Sequence, residues 1–172
     1  MRRFKYAVLF LTLFSCASFA GKPDDVMWNT NGGPYFGAAL GVNTVTLQAG
    51  KKRLAGFSGF ASTINVGYMF TRHYGIDAGT TVYFTGIYAT HIAAKAVLPI
   101  DGRLSVFALA GVIYTRANGT TGLWNPVLGV GTGYMLSPRL QITGALTGIS
   151  IGTGSHQSAQ LGTLMLGMNY YL

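Results

Sequence analysis

Residues 159–172 read AQLGTLMLGMNYYL. Leu164, Leu166, Met168, Tyr170 and Leu172 are apolar at every second position, whereas Met165, Gly167, Asn169 and Tyr171 between them are mixed and include a glycine and an amide. Side chains of a β-strand alternate between two faces, so one face of this segment is wholly greasy. No turn follows it, and such a strand is expected to be fixed by pairing with strands already made, as the closing strand of a barrel is.

The same alternation recurs upstream. Phe36, Ala38, Leu40 and Val42 alternate with Gly37, Ala39, Gly41 and Asn43, which predicts a first strand over 36–43. A second, over 60–70, sets Phe60, Ile64, Val66, Tyr68 and Phe70 against Ala61, Thr63, Asn65, Gly67 and Met69. A third, over 74–84, carries Asp77 on its polar side, and a fourth, over 88–98, carries His91 and Lys95 on its polar side. Residues 124–134 and 140–150 supply the sixth and seventh. The fifth, 103–115, is apolar on both faces. Taking Asp101-Gly102 as a two-residue hairpin turn pairs Ile100 with Arg103 and puts Phe107, Leu109 and Ile113 on the greasy face with Leu98.

These eight strands are joined by connections that alternate long and short. Residues 44–58, 116–123 and 151–158 read as loops, and 71–73, 99–102 and 136–139 as turns, with an unusually tight connection at Gly86. Strands of this length match the roughly 9–11 tilted residues that cross a bilayer. Aromatic residues gather near the strand ends, as in the interfacial belts of membrane barrels. A soluble barrel with its faces reversed is disfavoured, because the more polar face is also the glycine-rich one and would bring too few solubilising groups to water.

Composition agrees. Charged residues make up 9% of the chain beside 25 glycines, where a soluble domain carries about a quarter charged residues. Twelve Lys and Arg against four acids suggest a basic protein. However, Arg2, Arg3 and Lys5 fall in a leader, and only Lys51, Lys52 and Arg53 cluster, so no stripe suited to nucleic acid is present. Residues 1–5 are basic, 6–14 almost wholly apolar, and Ser18 and Ala20 are small residues before Gly21. This pattern predicts a secretory signal peptide over 1–20, too short in its apolar run for a membrane-spanning helix. A competing cut, of lipoprotein type, lies at Cys16. Removing 1–20 leaves about 150 residues, 21–172, as one domain without cysteine, which excludes disulfides and cysteine metal sites.

Several short phrases carry a family resemblance: 33–41 (GPYFGAALG), 66–70 (VGYMF), 97–99 (VLP), 129–134 (GVGTGY) and 166–170 (LGMNY). Across nearly all of 21–172 the chain resembles the small OmpA/OmpX-type, or porin-like and opacity-like, outer-membrane β-barrels. Residues 159–172 likewise resemble the C-terminal signal of such barrels, which usually ends in Phe where this chain has Leu172. The resemblance implies an all-β, eight-stranded antiparallel transmembrane barrel in the bacterial outer membrane with periplasmic termini. It implies a structural or surface-interaction role, with a narrow pore for ions or small solutes as the alternative and a lipid A-modifying enzyme as a lesser one. Expected partners are outer-membrane lipid and lipopolysaccharide, the barrel-assembly machinery during insertion, and host or surface ligands at the outer loops. The peptidoglycan-binding domain that follows the barrel in OmpA is not expected after Leu172.

No catalytic constellation is apparent. His73, His91 and His156 are scattered, and a metal site needs several convergent ligands. His156-Gln157-Ser158 resembles the His-x-Ser pair of outer-membrane lipid A deacylases, but that family's catalytic Glu has no counterpart, because the chain contains no Glu. No cofactor is therefore expected. Lys51, Lys52 and Arg53 are candidates for lipopolysaccharide phosphates. Gly129, Gly131 and Gly133 recur with period two, which clears interior room and does not build a phosphate loop. Finally, a hairpin centred on Gly86 would place Asp77 opposite Lys95, predicting a lumen ion pair that His91 extends. That pair would serve either as a plug or as a gate.

Overall fold

The computed structural model describes residues 32–49, 52–84, 86–117, 122–152 and 157–172. Over them the chain forms eight strands: β1 (Gly33–Ala49), β2 (Lys52–Met69), β3 (Tyr74–Tyr83), β4 (Ile87–Pro99), β5 (Leu104–Ala117), β6 (Leu123–Ser137), β7 (Leu140–Gly152) and β8 (Gln157–Tyr171). Each pairs antiparallel with the next, and β1 closes on β8 from Tyr35↔Tyr171 to Ala49↔Gln157. The last strand is thus held by β1 on one side and β7 on the other. Closure removes the sheet edges from the barrel body; beyond it, residues 52–59 of β2 pair with β1 alone.

The period-two pattern decides which face goes where. Leu40, Phe60, Ile64 and Leu166, each 67–70% exposed, stand on the outside, while Tyr35, Tyr83, Met135 and Leu161 lie within. This inverts a soluble barrel. An exposed apolar band wrapping every strand is the wall of a protein solvated by hydrocarbon, and the charges in the middle of the strands, Asp77 and Lys95, both point inward. At the turn end the band is finished by aromatic pairs, Phe36 against Tyr170 and Tyr68 against Phe70, each with centroids 5.5 Å apart.

Two expectations are corrected. Residues 44–58 do not form a long loop: β1 and β2 continue as a hairpin, with Thr44↔Ser58, Val45↔Phe57 and Thr46↔Gly56, and a register shift between Leu47 and Gln48. The β-branched Thr44, Val45 and Thr46 favour extended backbone, which outweighs the turn signal of Gly50. The face of β5 is also reversed. Pro99 pairs with Ser105 and Leu98 with Val106, so Val106 and Val112 face lipid while Phe107, Leu109 and Ile113 turn into the lumen. The reason is the turn. Asp101 does not sit in a two-residue loop; its Oδ1 accepts the N–H of Arg103 at 2.7 Å and of Leu104 at 2.6 Å, and Ile100 N–H bonds Leu104 O at 2.8 Å. That shifts the register by one residue, and a one-residue slip exchanges the two faces of a strand.

The lumen is packed in two layers. Ala61, Tyr83, Ala89, Ile113, Val127, Ile149 and Leu161 fill the loop end, and Tyr35, Met69, Val97, Phe107, Met135 and Tyr171 the turn end. Room cleared by Gly131 is occupied: a Cβ there would strike the Phe107 ring and the carbonyl of Gly144. An eight-stranded barrel has an interior about wide enough for side chains alone, and the Phe107 ring fits because its partner on β6 is Gly131.

Candidate functional site in the lumen

Between the two layers lies a polar centre built on β3. Its sequence YGIDAGTTVY puts Gly75, Asp77 and Gly79 on one inward face. Each glycine makes way for a neighbour: a Cβ at Gly75 would strike Met69 Sδ, and one at Gly79 would meet His91 Cε1 at 2.8 Å. One row of cross-strand partners runs Tyr35↔Gly67, Gly67↔Asp77, Asp77↔Ala93. Because Gly67 has no side chain, the Tyr35 ring lies across it and reaches a carboxylate two strands away.

Asp77 is 5% exposed and receives three donors. Tyr35 Oη donates to Oδ2 at 2.5 Å, Asn65 Nδ2 donates to the same oxygen at 2.9 Å, and His91 Nε2 lies 2.9 Å from Oδ1. An ionised carboxylate only accepts hydrogen bonds, so Nε2 carries the proton of that contact. Lys95, 4% exposed, donates from Nζ to Tyr35 Oη at 3.2 Å. Its ammonium sits 4.4 Å from the Tyr35 ring centroid and 5.1 Å from that of Phe107, in cation–π range. The Tyr35 hydroxyl therefore accepts from the cation and donates to the anion. A second chain continues toward the turn end: Tyr171 Oη donates to Gln141 Oε1 at 3.1 Å, and Gln141 Nε2 lies 3.5 Å from Ser105 Oγ.

Asp77, His91 and Lys95 thus share the lumen, but Asp77 and Lys95 are not cross-strand partners as the Gly86-centred hairpin predicted. Tyr83 pairs with Ile87, so residues 84–86 form the connection and its centre is position 85. Gly86 takes the last loop position with φ 82°, its N–H bonding Tyr83 O at 2.9 Å. A left-handed glycine ending a three-residue loop is a common hairpin closure. The shift moves Asp77 opposite Ala93 and Lys95 opposite Gly75, and Tyr35 bridges the charges. Tyr35, Asn65 and Tyr171 were not anticipated. Extending the first strand's alternation back by one residue places Tyr35 inward, but nothing local to the sequence reveals that Gly67 and Asp77 stand in its row.

A cavity of about 100 Å³ adjoins this centre, lined by the polar Asn65, Asp77, Thr81 and His91 and the apolar Ile113 and Val127. Among the described residues no group of three or more His, Cys, Asp or Glu gathers as metal ligands. His73 sits apart in the β2–β3 turn, its Nδ1 3.2 Å from Val97 O and its Nε2 accepting from Arg72 Nε at 2.9 Å. His156 and Lys51 lie outside the described residues, and Lys52 and Arg53 open β2 opposite Ala49 and Gln48. Three donors engage every lone pair of Asp77 but one and fix the carboxylate in place, and in the described contacts no hydroxyl is bonded to the ring of His91 or His73.

No family model matches the chain, and no curated protein matches it. Solved structures do. The chain is similar to Neisserial surface protein A (NspA), at 16% identity over 80% of this chain and 97% of that one, with a TM-score of 0.58. It is similar to the outer membrane protein OprG from Pseudomonas aeruginosa, at 13% identity over 86% and 99%, with a TM-score of 0.55. A structure from the de novo design of transmembrane β-barrels matches at 15% identity over 88% and 98%, with a TM-score of 0.57. At these identities the likeness is one of fold. Since a designed barrel fits about as well as the natural ones, activity has to be argued from the residues.

Proposed function

We propose that the protein is an outer-membrane β-barrel with a structural or surface-interaction role in the bacterial envelope, its lumen closed by the Lys95–Tyr35–Asp77–His91 network. The observation that carries this is the bridge itself: Tyr35 crosses from β1 over Gly67 to Asp77 on β3, between two apolar layers. A conducting lumen needs a continuous water path, and here the rings of Tyr35, Phe107 and Tyr171 stand in it. NspA, whose name places it at a cell surface, shares the architecture. The polar network acts as a plug that satisfies two buried charges, and not as a gate. Lipopolysaccharide and outer-membrane lipid then contact the greasy wall, the barrel-assembly machinery inserts it, and surface ligands meet the loop end. Lys52 and Arg53, which open β2 opposite Ala49 and Gln48, together with Lys51 before them in sequence, are the groups offered to lipopolysaccharide phosphates.

Conductance in planar bilayers tests the plug. The wild-type barrel should stay electrically silent, and so should an Asp77→Ala, Lys95→Ala variant, because the aromatic rings remain. Discrete channels from the wild type would favour the pore. Orientation is tested by cysteine placed at Lys51, Asn118 or Gly154 against Arg72, Asp101 or Arg139 and labelled on intact cells with an impermeant reagent. Only the first set should react, and the reverse pattern would put the termini outside.

A further inference from the structure

The three turns at the end where β1 begins and β8 ends are built on one plan. Thr71 Oγ1 accepts the N–H groups of His73 and Tyr74, each at 3.1 Å. Asp101 Oδ1 accepts those of Arg103 and Leu104, and Ser137 Oγ those of Arg139 and Leu140 at 3.4 and 3.1 Å. In each case an oxygen at one residue caps the amides two and three positions on, which fixes a tight turn. Each of these capped turns also carries one arginine: Arg72, Arg103 and Arg139. They belong to the β2–β3, β4–β5 and β6–β7 connections, so in a closed barrel of eight strands they occupy three of the four sectors of one rim, the fourth being the β8–β1 seam.

The chemistry around them is one-sided. Arg103 and Arg139 are exposed. Arg72 is half-buried, and its Nε is tied to His73, which is itself anchored to Val97 O on β4. Among the described residues the one acid of this rim is Asp101, whose Oδ1 accepts two backbone amides. Directly inside the arginines stand exposed apolar and aromatic side chains: Phe70, Tyr74, Ile100, Tyr134 and Leu136. Strands rise about 3.3 Å per residue, so guanidinium groups two to five residues beyond this belt lie at headgroup depth. There, cations face lipid phosphates while the belt faces the carbonyl and acyl region.

We propose that this rim is a phospholipid-anchoring surface, in which Arg72, Arg103 and Arg139 bind the phosphates of anionic glycerophospholipids of phosphatidylglycerol type. Planar guanidinium forks suit phosphate oxygens, and the side-chain caps fix the turn backbone, so only the arginine side chains need ordering on binding. The occupant is the phospholipid leaflet at the turn end, and lipopolysaccharide is the competing source of phosphate. The proposal rests on the reading that the barrel spans an outer membrane with its turn end toward the periplasm, where the leaflet is phospholipid; the cysteine-labelling experiment tests that orientation separately.

The test uses the full barrel folded into vesicles of phosphatidylcholine alone, with phosphatidylglycerol, or with lipid A, and reads urea unfolding by fluorescence. Insertion is checked first by heat-modifiable gel mobility; failure there would count against the membrane reading and leave nothing to attribute to the arginines. At low salt, phosphatidylglycerol should lower the wild-type unfolding equilibrium constant by about fivefold per arginine, so on the order of a hundredfold in all. The gain should disappear in 1 M salt and in an Arg72→Gln, Arg103→Gln, Arg139→Gln variant, and persist in the three-Lys counterpart. If the Gln variant does not fold, the salt dependence of the wild type and the single variants decide. No gain with phosphatidylglycerol, the same gain without the arginines, or a gain confined to lipid A would each overturn the proposal.

Discussion

Replacing Tyr35 with Phe removes a single oxygen and leaves a ring of the same shape across Gly67. That oxygen donates to Asp77 at 2.5 Å and accepts from Lys95 at 3.2 Å. Hydrogen bonds to charged groups contribute about 1.5–3 kcal/mol each. Asp77 keeps Asn65 and His91 as donors, so its loss belongs at the low end of that range. Lys95 keeps the faces of the Tyr35 and Phe107 rings, which soften its loss as well. The expected cost is about 3 kcal/mol, a large share of the 5–15 typical of a domain. The two charges, linked through one oxygen, are no more than about 6 Å apart, and at an effective dielectric near 20 they still attract by about 3 kcal/mol. The variant should therefore fold and be measurably weaker. Urea unfolding in vesicles, followed by the fluorescence of exposed Trp124, measures this. A double-mutant cycle with Lys95→Met should give a coupling of about 1–2 kcal/mol, and one with lipid-facing Leu166→Ala none. A Tyr35→Phe barrel within 0.5 kcal/mol of wild type by this measure, with no coupling to Lys95, would refute the bridge.

The wall and the lumen glycines make further predictions. Arg in place of Val66 or Leu166 puts a charge against hydrocarbon and should cost about 2–4 kcal/mol, whereas Arg at Thr63, beside the cavity, should cost less; equal tolerance at all three would mean the faces are wrong. Gly131→Ala should destabilise by about 1–3 kcal/mol, because its methyl meets both the Phe107 ring and a carbonyl of β7. Phe107→Leu should recover only the ring's part of that loss, since the backbone contact remains, and full recovery would show that the carbonyl does not matter.

How much was legible in the sequence divides along the parity of register. Side-chain alternation revealed eight strands, their order and, for seven of them, which face is greasy, because period two is a local property. The pairing register of the Gly86 hairpin was off by two residues, and an even shift leaves every side chain on its own face. Asp77, His91 and Lys95 were accordingly found in the lumen with the wrong opposite numbers. The β4–β5 turn was misplaced by one, and an odd shift reverses the strand, so Phe107 and Ile113 came out on lipid when they fill the core. A strand apolar on both faces has no pattern of its own to correct this. Tyr35 was missed for a third reason: its role depends on Gly67 and Asp77 lying in its row, and that row exists only once the register of two hairpins is known.

The carboxylate responsible for the β5 reversal supplies a test of its own. Asp101 lies in the turn, outside the membrane-spanning segments, and the amides of Arg103 and then Leu104 hold its carboxyl below the usual carboxylate range. A group whose pKa is depressed on folding contributes stability above its unfolded pKa, and loses it as pH falls through the folded one. The wild type should therefore be more stable than Asp101→Asn at pH 6, and the gap should close as pH falls from about 4 toward and below the folded value. Asp77 titrates in both proteins and cancels from the difference, as does any change in the vesicles. Asn keeps an acceptor oxygen, so the gap isolates the charge on that oxygen; Asp101→Ala, which removes the acceptor too, should be weaker than either at every pH. Paired urea midpoints for the three proteins between pH 3 and pH 7 decide it. A gap between wild type and Asp101→Asn that does not change over that range would mean the caps act as neutral hydrogen bonds, and that the turn holds its register by backbone geometry alone.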